Sequence, residues 1–329
     1  MNIVFIIPTG IGADIGGHAG DATPAAKLIA SCCDNLIIHP NVVNASDINE
    51  MSENMWYTEG SILNRFLTGS IKLQRPHKNK ILLAVNKPVW IETINSASSA
   101  RATVGADISI LELNEPLEMI ATMEDGKASG IVNGWESLVK QVSDYSFDAL
   151  ALATPIDVDK EVALKYMHDG GVNPWGGVEA KASKLIASAI NKPVAHAPVG
   201  HTLKDWKEIA DPRMAAETVS VCYLHCVLRG LHRAPRIEPK EGNKGLSYED
   251  IDCLISPWGC WGEPHEACYN RGIPVIAVKE NKTCLNEPMT KAIAVENYLE
   301  AAGLVMSWKA GVSMESLRRP LAHTTVIKA

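Results

Sequence analysis

Five apolar residues in a row, Ile3-Val4-Phe5-Ile6-Ile7, stand between a polar start and a proline. That pattern predicts a strand covered on both faces, as in a parallel sheet. A glycine-rich stretch follows, and Thr23-Pro24 then predicts a helix start, the hydroxyl capping a free N–H and proline fitting the first turn. Leu28, Ile29, Cys32 and Cys33 recur on one face of that helix. Leu36-Ile37-Ile38 is the returning strand, and it ends in His39-Pro40-Asn41. Strand, loop, helix and strand in about forty residues form a βαβ unit, whose ligand end is the carboxyl end of its strands.

The same alternation continues along the chain. Apolar runs predict strands at 81–85, 108–113, 148–153, 253–255 and 273–278. Helical spacing is read at 47–57, 60–67 and 135–145, and after Asp211-Pro212, where 219–228 is almost wholly apolar. Residues 74–80 and 236–250 read as charged connectors. The segment 90–104 carries Thr93, Ser96, Ser98, Ser99, Arg101 and Thr103; as a helix of small residues it suits close packing in a homo-oligomer.

A repeat lies within this pattern. Lys27-Leu28-Ile29-Ala30-Ser31 recurs as Lys184-Leu185-Ile186-Ala187-Ser188, and the same offset relates His39 to His196 and Gly20 to Gly177. An internal βαβ duplication is the expectation, with the two histidines at equivalent strand ends. A third unit is read near the C-terminus, where the loop 256–262 shares Pro-Trp-Gly with Pro174-Trp175-Gly176.

Composition narrows the class. A chain of 329 residues with 46% hydrophobic and 21% charged positions is globular and long enough for two α/β lobes, expected at 1–145 and 146–329. A net charge of −7 without a basic stripe argues against a nucleic-acid partner. No apolar run is long enough for a membrane span, and the N-terminus lacks a basic n-region and a cleavage site. Eight cysteines outside any regular framework suit a reducing compartment, so a cytoplasmic location is expected.

Candidate chemistry gathers at the strand ends. Gly10, Gly12 and Gly16 invite a dinucleotide reading, but about fifteen residues part Ile7 from Pro24 and no acid ends the second strand, which argues against NAD(P). The loop reads instead as one wall of a small-molecule pocket. Cys260, between a strand end and a helix start, is a candidate nucleophile, because backbone N–H groups there favour thiolate. His18, Asp21, His39, His196 and Glu263 are candidate acid–base groups, the histidines tuned by burial and neighbours. Gly10, Gly12, Asp14, Gly16, Gly17, Asn41, Asn44, Gly176, Gly177, Trp258, Gly259, Asn281 and Lys282 are candidate substrate-binding positions. Lys282, Arg101, Arg318 and Arg319 offer charge to a carboxylate. A divalent ion on Asp14, His18, Asp21 or His39 remains open, as does zinc on Cys260, His265 and Cys268, or on Cys222 and Cys226.

The run Pro-Thr-Gly-Ile-Gly-Ala-Asp-Ile-Gly-Gly-His-Ala-Gly-Asp-Ala at 8–22, with His39-Pro40-Asn41-Val42-Val43-Asn44-Ala45, resembles DUF3326, an uncharacterised family seen in cyanobacteria and relatives. The resemblance implies a globular protein over most of the chain and transfers no catalytic residue. From the residues themselves, the expectation is an α/β protein of two Rossmann-like lobes with mostly parallel sheets. Its expected activity is acid–base or Cys-assisted chemistry (hydrolase, lyase or isomerase type) on a small polar, anionic metabolite. A two-lobed binding or sensor protein and an NAD(P)-dependent oxidoreductase are the alternatives.

Overall fold

The computed structural model describes residues 1–18, 21–44, 48–199 and 223–328. Its centre is a six-stranded, all-parallel sheet ordered β15-β14-β13-β1-β2-β3. Those strands are β1 (Asn2–Phe5), β2 (Asn35–Ile38), β3 (Met55–Tyr57), β13 (Cys253–Pro257), β14 (Val275–Val278) and β15 (Ile293–Val295). A second parallel sheet runs β11-β9-β5-β6, from β5 (Lys80–Asn86), β6 (Asp107–Leu113), β9 (Ala149–Ala153) and β11 (Val194–His196). Two small sheets complete the set. One joins β10 (Ile156–Asp157) to the hairpin of β7 (Glu118–Glu124) and β8 (Lys127–Asn133); the other pairs β4 (Ile71–Gln74) with β12 (Arg236–Pro239).

The helices are α1 (Thr23–Cys32), α2 (Gly60–Leu67), α3 (Ile91–Val104), α4 (Trp135–Ser143), α5 (Lys160–Asp169), α6 (Pro174–Ile190), α7 (Tyr223–His232), α8 (Glu263–Asn270) and α9 (Tyr298–Lys309). The α/β class with parallel sheets is as the apolar runs foretold. Three units, β1–α1–β2, β9–α6–β11 and β13–α8–β14, return a strand parallel and adjacent to the one they leave.

The sheets do not follow consecutive halves of the chain. A cut between 145 and 146 separates bonded neighbours in both parallel sheets, β1 from β13 and β5 from β9. The apolar layers cross them as well. Alternation sends Ile3, Phe5, Ile81 and Leu83 into one buried cluster and Val4, Leu82 and Leu150 into the other, so each layer draws on both sheets. In the six-stranded sheet the chain steps outward from β1 through β2 to β3 in one direction. From β13 through β14 to β15 it steps outward in the other. The crevice of such a sheet opens where those directions diverge, above the carboxyl ends of β1 and β13.

Several local expectations are corrected. Thr23 is the first residue of α1, not its cap; Ala22 holds the cap position without a side-chain bond, and Thr23 Oγ1 has no partner among the described residues. Of the stretch read as helix at 47–57, Asp47 lies outside the described residues, and 48–57 is not an α-helix: Ile48–Glu50 form a 3-10 turn and Met55–Tyr57 the edge strand β3, the end of the segment being apolar and buried. The supposed connector 74–80 contains Asn79, wholly buried, which donates to the carbonyls of Leu231 and Ala234 and accepts from Arg236. Likewise 236–250 opens with β12 rather than a free loop. Gly20, Ala45, Asp211-Pro212, residues 219–222 and so Cys222 lie outside the described residues.

The glycines serve close packing. A Cβ at Gly177 would sit 2.3 Å from the carbonyl carbon of Ala128, where α6 crosses the β8 backbone. We expect Gly177→Ala to destabilise the protein by about 3 kcal/mol, read by urea unfolding, because the facing atoms are backbone and cannot turn aside.

Candidate functional site

The glycine loop after β1 is pinned along its length. Gly10 O accepts from Ala128 N–H, Ile11 O from Cys284 N–H, and Asp14 N–H donates to Lys282 O at 2.8 Å. The Asn281 side chain, wholly buried, accepts from Ile15 N–H and donates to Ile15 O and to the Tyr298 hydroxyl. Asp21 accepts from Gly16 N–H at 2.6 Å. Asn281, Lys282 and Asp21 therefore fasten the loop, and a fastened loop can wall a cavity.

That cavity, about 1240 Å³, opens at the carboxyl ends of strands from both parallel sheets. Pro8 to Gly10 line it after β1, His39 after β2, Glu59 after β3, His196 at the end of β11, and Cys260 after β13. Gly12, Gly17, His18, Asn41, Asn44 and Gly176 line it too. Other expected site residues lie off it. Asp14 is exposed, and Gly16 is buried against Ile7 and the Asn41 carbonyl. Gly177 packs on Ala128, and Gly259 on the Leu285 carbonyl. Trp258 is bonded through its backbone to Val278, and the exposed Glu263 accepts from Asn64. The helix α3 puts Arg101 on the surface, while Arg318 pairs with Glu300 and the neighbouring Arg319 is exposed.

The histidines are not equivalent, despite their matched positions. Asn41 N–H donates to His39 Nδ1 at 3.2 Å, so the neutral ring carries its hydrogen on Nε2. Burial brings the His39 pKa down to about 4 and keeps the ring neutral. His196 is held on both sides: Nε2 lies 3.0 Å from the Thr154 carbonyl and hydroxyl, and Nδ1 lies 2.8 Å from Glu179 Oε1. It serves to fix Glu179 and Thr154 at the wall. His18 Nδ1 meets the Tyr166 hydroxyl at 2.7 Å, and the Trp175 ring stands edge-on to Tyr166.

Cys260 is corrected in its chemistry. Its thiol donates to the Pro257 carbonyl at 3.0 Å, and burial pushes it up to about 11. Helix α8 begins three residues later, and desolvation outweighs whatever its N-terminus offers. His265 is equally committed: Nδ1 accepts from Gly262 N–H and Nε2 donates to Ser256 Oγ, with burial lowering it to about 4. Among the described residues no group of three or more His, Cys, Asp or Glu could hold a metal ion, and Asp14, His18, Asp21 and His39 do not form one.

Glu59 was not foreseen. It caps α2 through one oxygen only: Oε2 accepts from Ser61 N–H, Ser61 Oγ and Ile62 N–H. No described group bonds Oε1, and the residue is 6% exposed and lines the cavity. Burial raises its pKa above the usual carboxylate range against those three bonds. The next residue, Gly60, lies against His39: a Cβ there would be 2.7 Å from Nε2. A Glu-Gly-Ser run just after a short apolar strand was the signal available.

The chain matches the family described as "Protein of unknown function (DUF3326)" over residues 2–318. This protein belongs to the DUF3326 family. It is 36% identical over 337 aligned positions to an "Uncharacterized lipoprotein" of Synechococcus sp., covering 96% of this chain and 93% of that one. That relative is named a lipoprotein, in tension with the cytoplasmic location expected here. No helix among the described residues of this DUF3326 member is long and apolar enough to cross a membrane. No solved structure matches the chain.

Two measurements check this account. Among the seven described cysteines only Cys284 is exposed. Brief iodoacetamide treatment of the native protein at pH 7.5 should alkylate Cys284 and spare Cys260, as read by peptide mass spectrometry. His39 and His265, whose folded pKa values are depressed, bind protons more readily once unfolded. Their contribution is whole above about pH 6.5 and is lost as pH falls toward about 4, on the order of 3 kcal/mol each. Urea unfolding at stepped pH should therefore show acid destabilisation that His39→Gln reduces. Glu59→Gln should act with the opposite sign, since a raised carboxylate pKa costs stability as pH climbs through it.

Proposed function

We propose that this protein is an enzyme acting on a small polar metabolite in the cavity, by acid–base chemistry of the hydrolase, lyase or isomerase type. The observation that carries the reading is the Glu59–His39 corner. There a buried carboxylate, fastened through one oxygen, stands beside a neutral imidazole whose Nε2–H is claimed by no described residue. In this reading Glu59 takes and returns a proton, burial having raised its pKa above the usual carboxylate range. His39 donates a hydrogen bond to the oxygen on which charge develops; a neutral ring can do so without giving up its proton. Cys260, protonated and bonded to Pro257, supports no covalent step.

The expected anionic substrate draws little support from the walls that are described. Among the described residues, Glu59, Glu92 and Glu179 face the cavity with a single cation, Lys184, and no arginine. Tyr57, Trp90, Tyr166, Trp175, Tyr223 and Trp261 add flat apolar surface. That balance favours an uncharged or cationic substrate with a face to stack. The thiols of Cys253, Cys260, Cys268 and Cys284, none of them in a disulfide, support a reducing, cytoplasmic location. The exposed Ile91 and Ile94 of α3 support a homo-oligomer.

The test is turnover of a metabolite mixture followed by mass spectrometry. Glu59→Gln should cut the rate by about a hundredfold or more and leave binding of the consumed compound within a few-fold. Gly60→Ala, which sets a methyl against Nε2, should lower the rate with Glu59 intact. A metabolite that binds and is never consumed would leave a binding protein in place of an enzyme.

A further inference from the structure

A second, smaller hollow of about 240 Å³ lies between the loop 48–55, the end of α3 and the end of α7. Arg75, Arg229 and Arg233 all line it, against one carboxylate, Glu53. This reverses the sign of the whole chain, which carries −7. The carboxylate is shared: Glu53 Oε2 lies 2.9 Å from Arg233 Nη1 and 3.8 Å from Arg75 Nη2. Arg229 is bonded to the neutral amide oxygen of Asn49 at 2.9 Å and is attracted more weakly by the Glu50 carboxylate, which pairs with Lys27. His232, 7% exposed, is on the same wall, and its Nδ1 is buried with no hydrogen-bond partner among the described residues. Arg75 also donates to the Glu53 backbone carbonyl and lies over the Trp56 ring, yet three forked guanidinium groups share one lining carboxylate, with an unsatisfied ring nitrogen beside them.

From this juxtaposition we propose that the hollow is a binding site for a phosphate-sized oxyanion, free or as the terminal group of a metabolite. Arginine forks match the oxygens of such an ion two at a time. The volume admits the ion with its first waters. The end of α7 would oppose an anion through its free carbonyls, but those of Gly230, Leu231 and His232 are already taken by Arg233 N–H, Asn79 Nδ2 and Asn79 N–H. Repulsion from Arg233 and Lys78 adds to burial in lowering the His232 pKa, as expected of an electropositive recess. The site is independent of the Glu59 corner, although Tyr57 lines both cavities.

Titration calorimetry of the full chain with inorganic phosphate, at ionic strength held constant with chloride, tests it. One saturable site is expected. Arg229→Gln and Arg233→Gln should each weaken binding by about fivefold or more, and Glu53→Gln, at an exposed position that needs no repacking, should tighten it. A parallel titration with glycerol phosphate separates the sources: tighter binding than inorganic phosphate marks a phosphomonoester, equal or weaker binding the free ion. Phosphate that binds no better than chloride overturns the proposal. So does binding that ignores both arginine changes and Glu53→Gln, which would place the anion elsewhere.

Discussion

The structure turns on the parallel pairing of β1 with β13, Ile3 beside Cys253 and Phe5 beside Ile255. This contact joins residues about 250 positions apart, and it sets the glycine loop after β1 next to the turn that carries Cys260. Everything at the first cavity hangs from it. The loop 281–284, which follows β14, can reach Asp14, Ile15 and Ile11 only because β13 has brought β14 alongside. Asn281 then spends both amide donors and its oxygen on Ile15 and Tyr298, which fastens the wall to the sheet's other half.

Much of this architecture was legible, and the reason is burial on two faces. Runs such as Ile3 to Ile7 and Ile81 to Val85 admit few alternatives, and the βαβ order follows from them. The β7–β8 hairpin was missed because its strands, Glu118–Glu124 and Lys127–Asn133, are half-exposed and mix apolar with polar residues. Its usable sign was Asp125-Gly126, both at positive φ in the turn. The edge strand β3 was taken for helix because three residues carry no period to count.

The candidate site was legible in position and not in chemistry. Sequence spacing placed His18, His39, His196 and Cys260 on one cavity, since each follows or ends a strand. What each can do depends on groups that spacing does not reveal. Asn41 N–H settles the His39 tautomer, Glu179 and Thr154 occupy His196, and the Pro257 carbonyl holds the Cys260 proton. Glu59 escaped notice because a carboxylate acquires this character only when neighbouring elements bury it. Repeated sequence thus gave two histidines the same address, and unlike neighbours gave them unlike work.

A sheet assembled from both ends of a chain has a consequence for biosynthesis. While the polypeptide is emerging from the ribosome, β1 has β2 on one side and nothing on the other until residues near 253 have left the exit tunnel. The four-stranded sheet, built wholly from residues 80–196, can close much earlier. For most of translation the nascent chain therefore presents an open, apolar strand edge, the kind of surface that chaperones shield and that aggregation exploits.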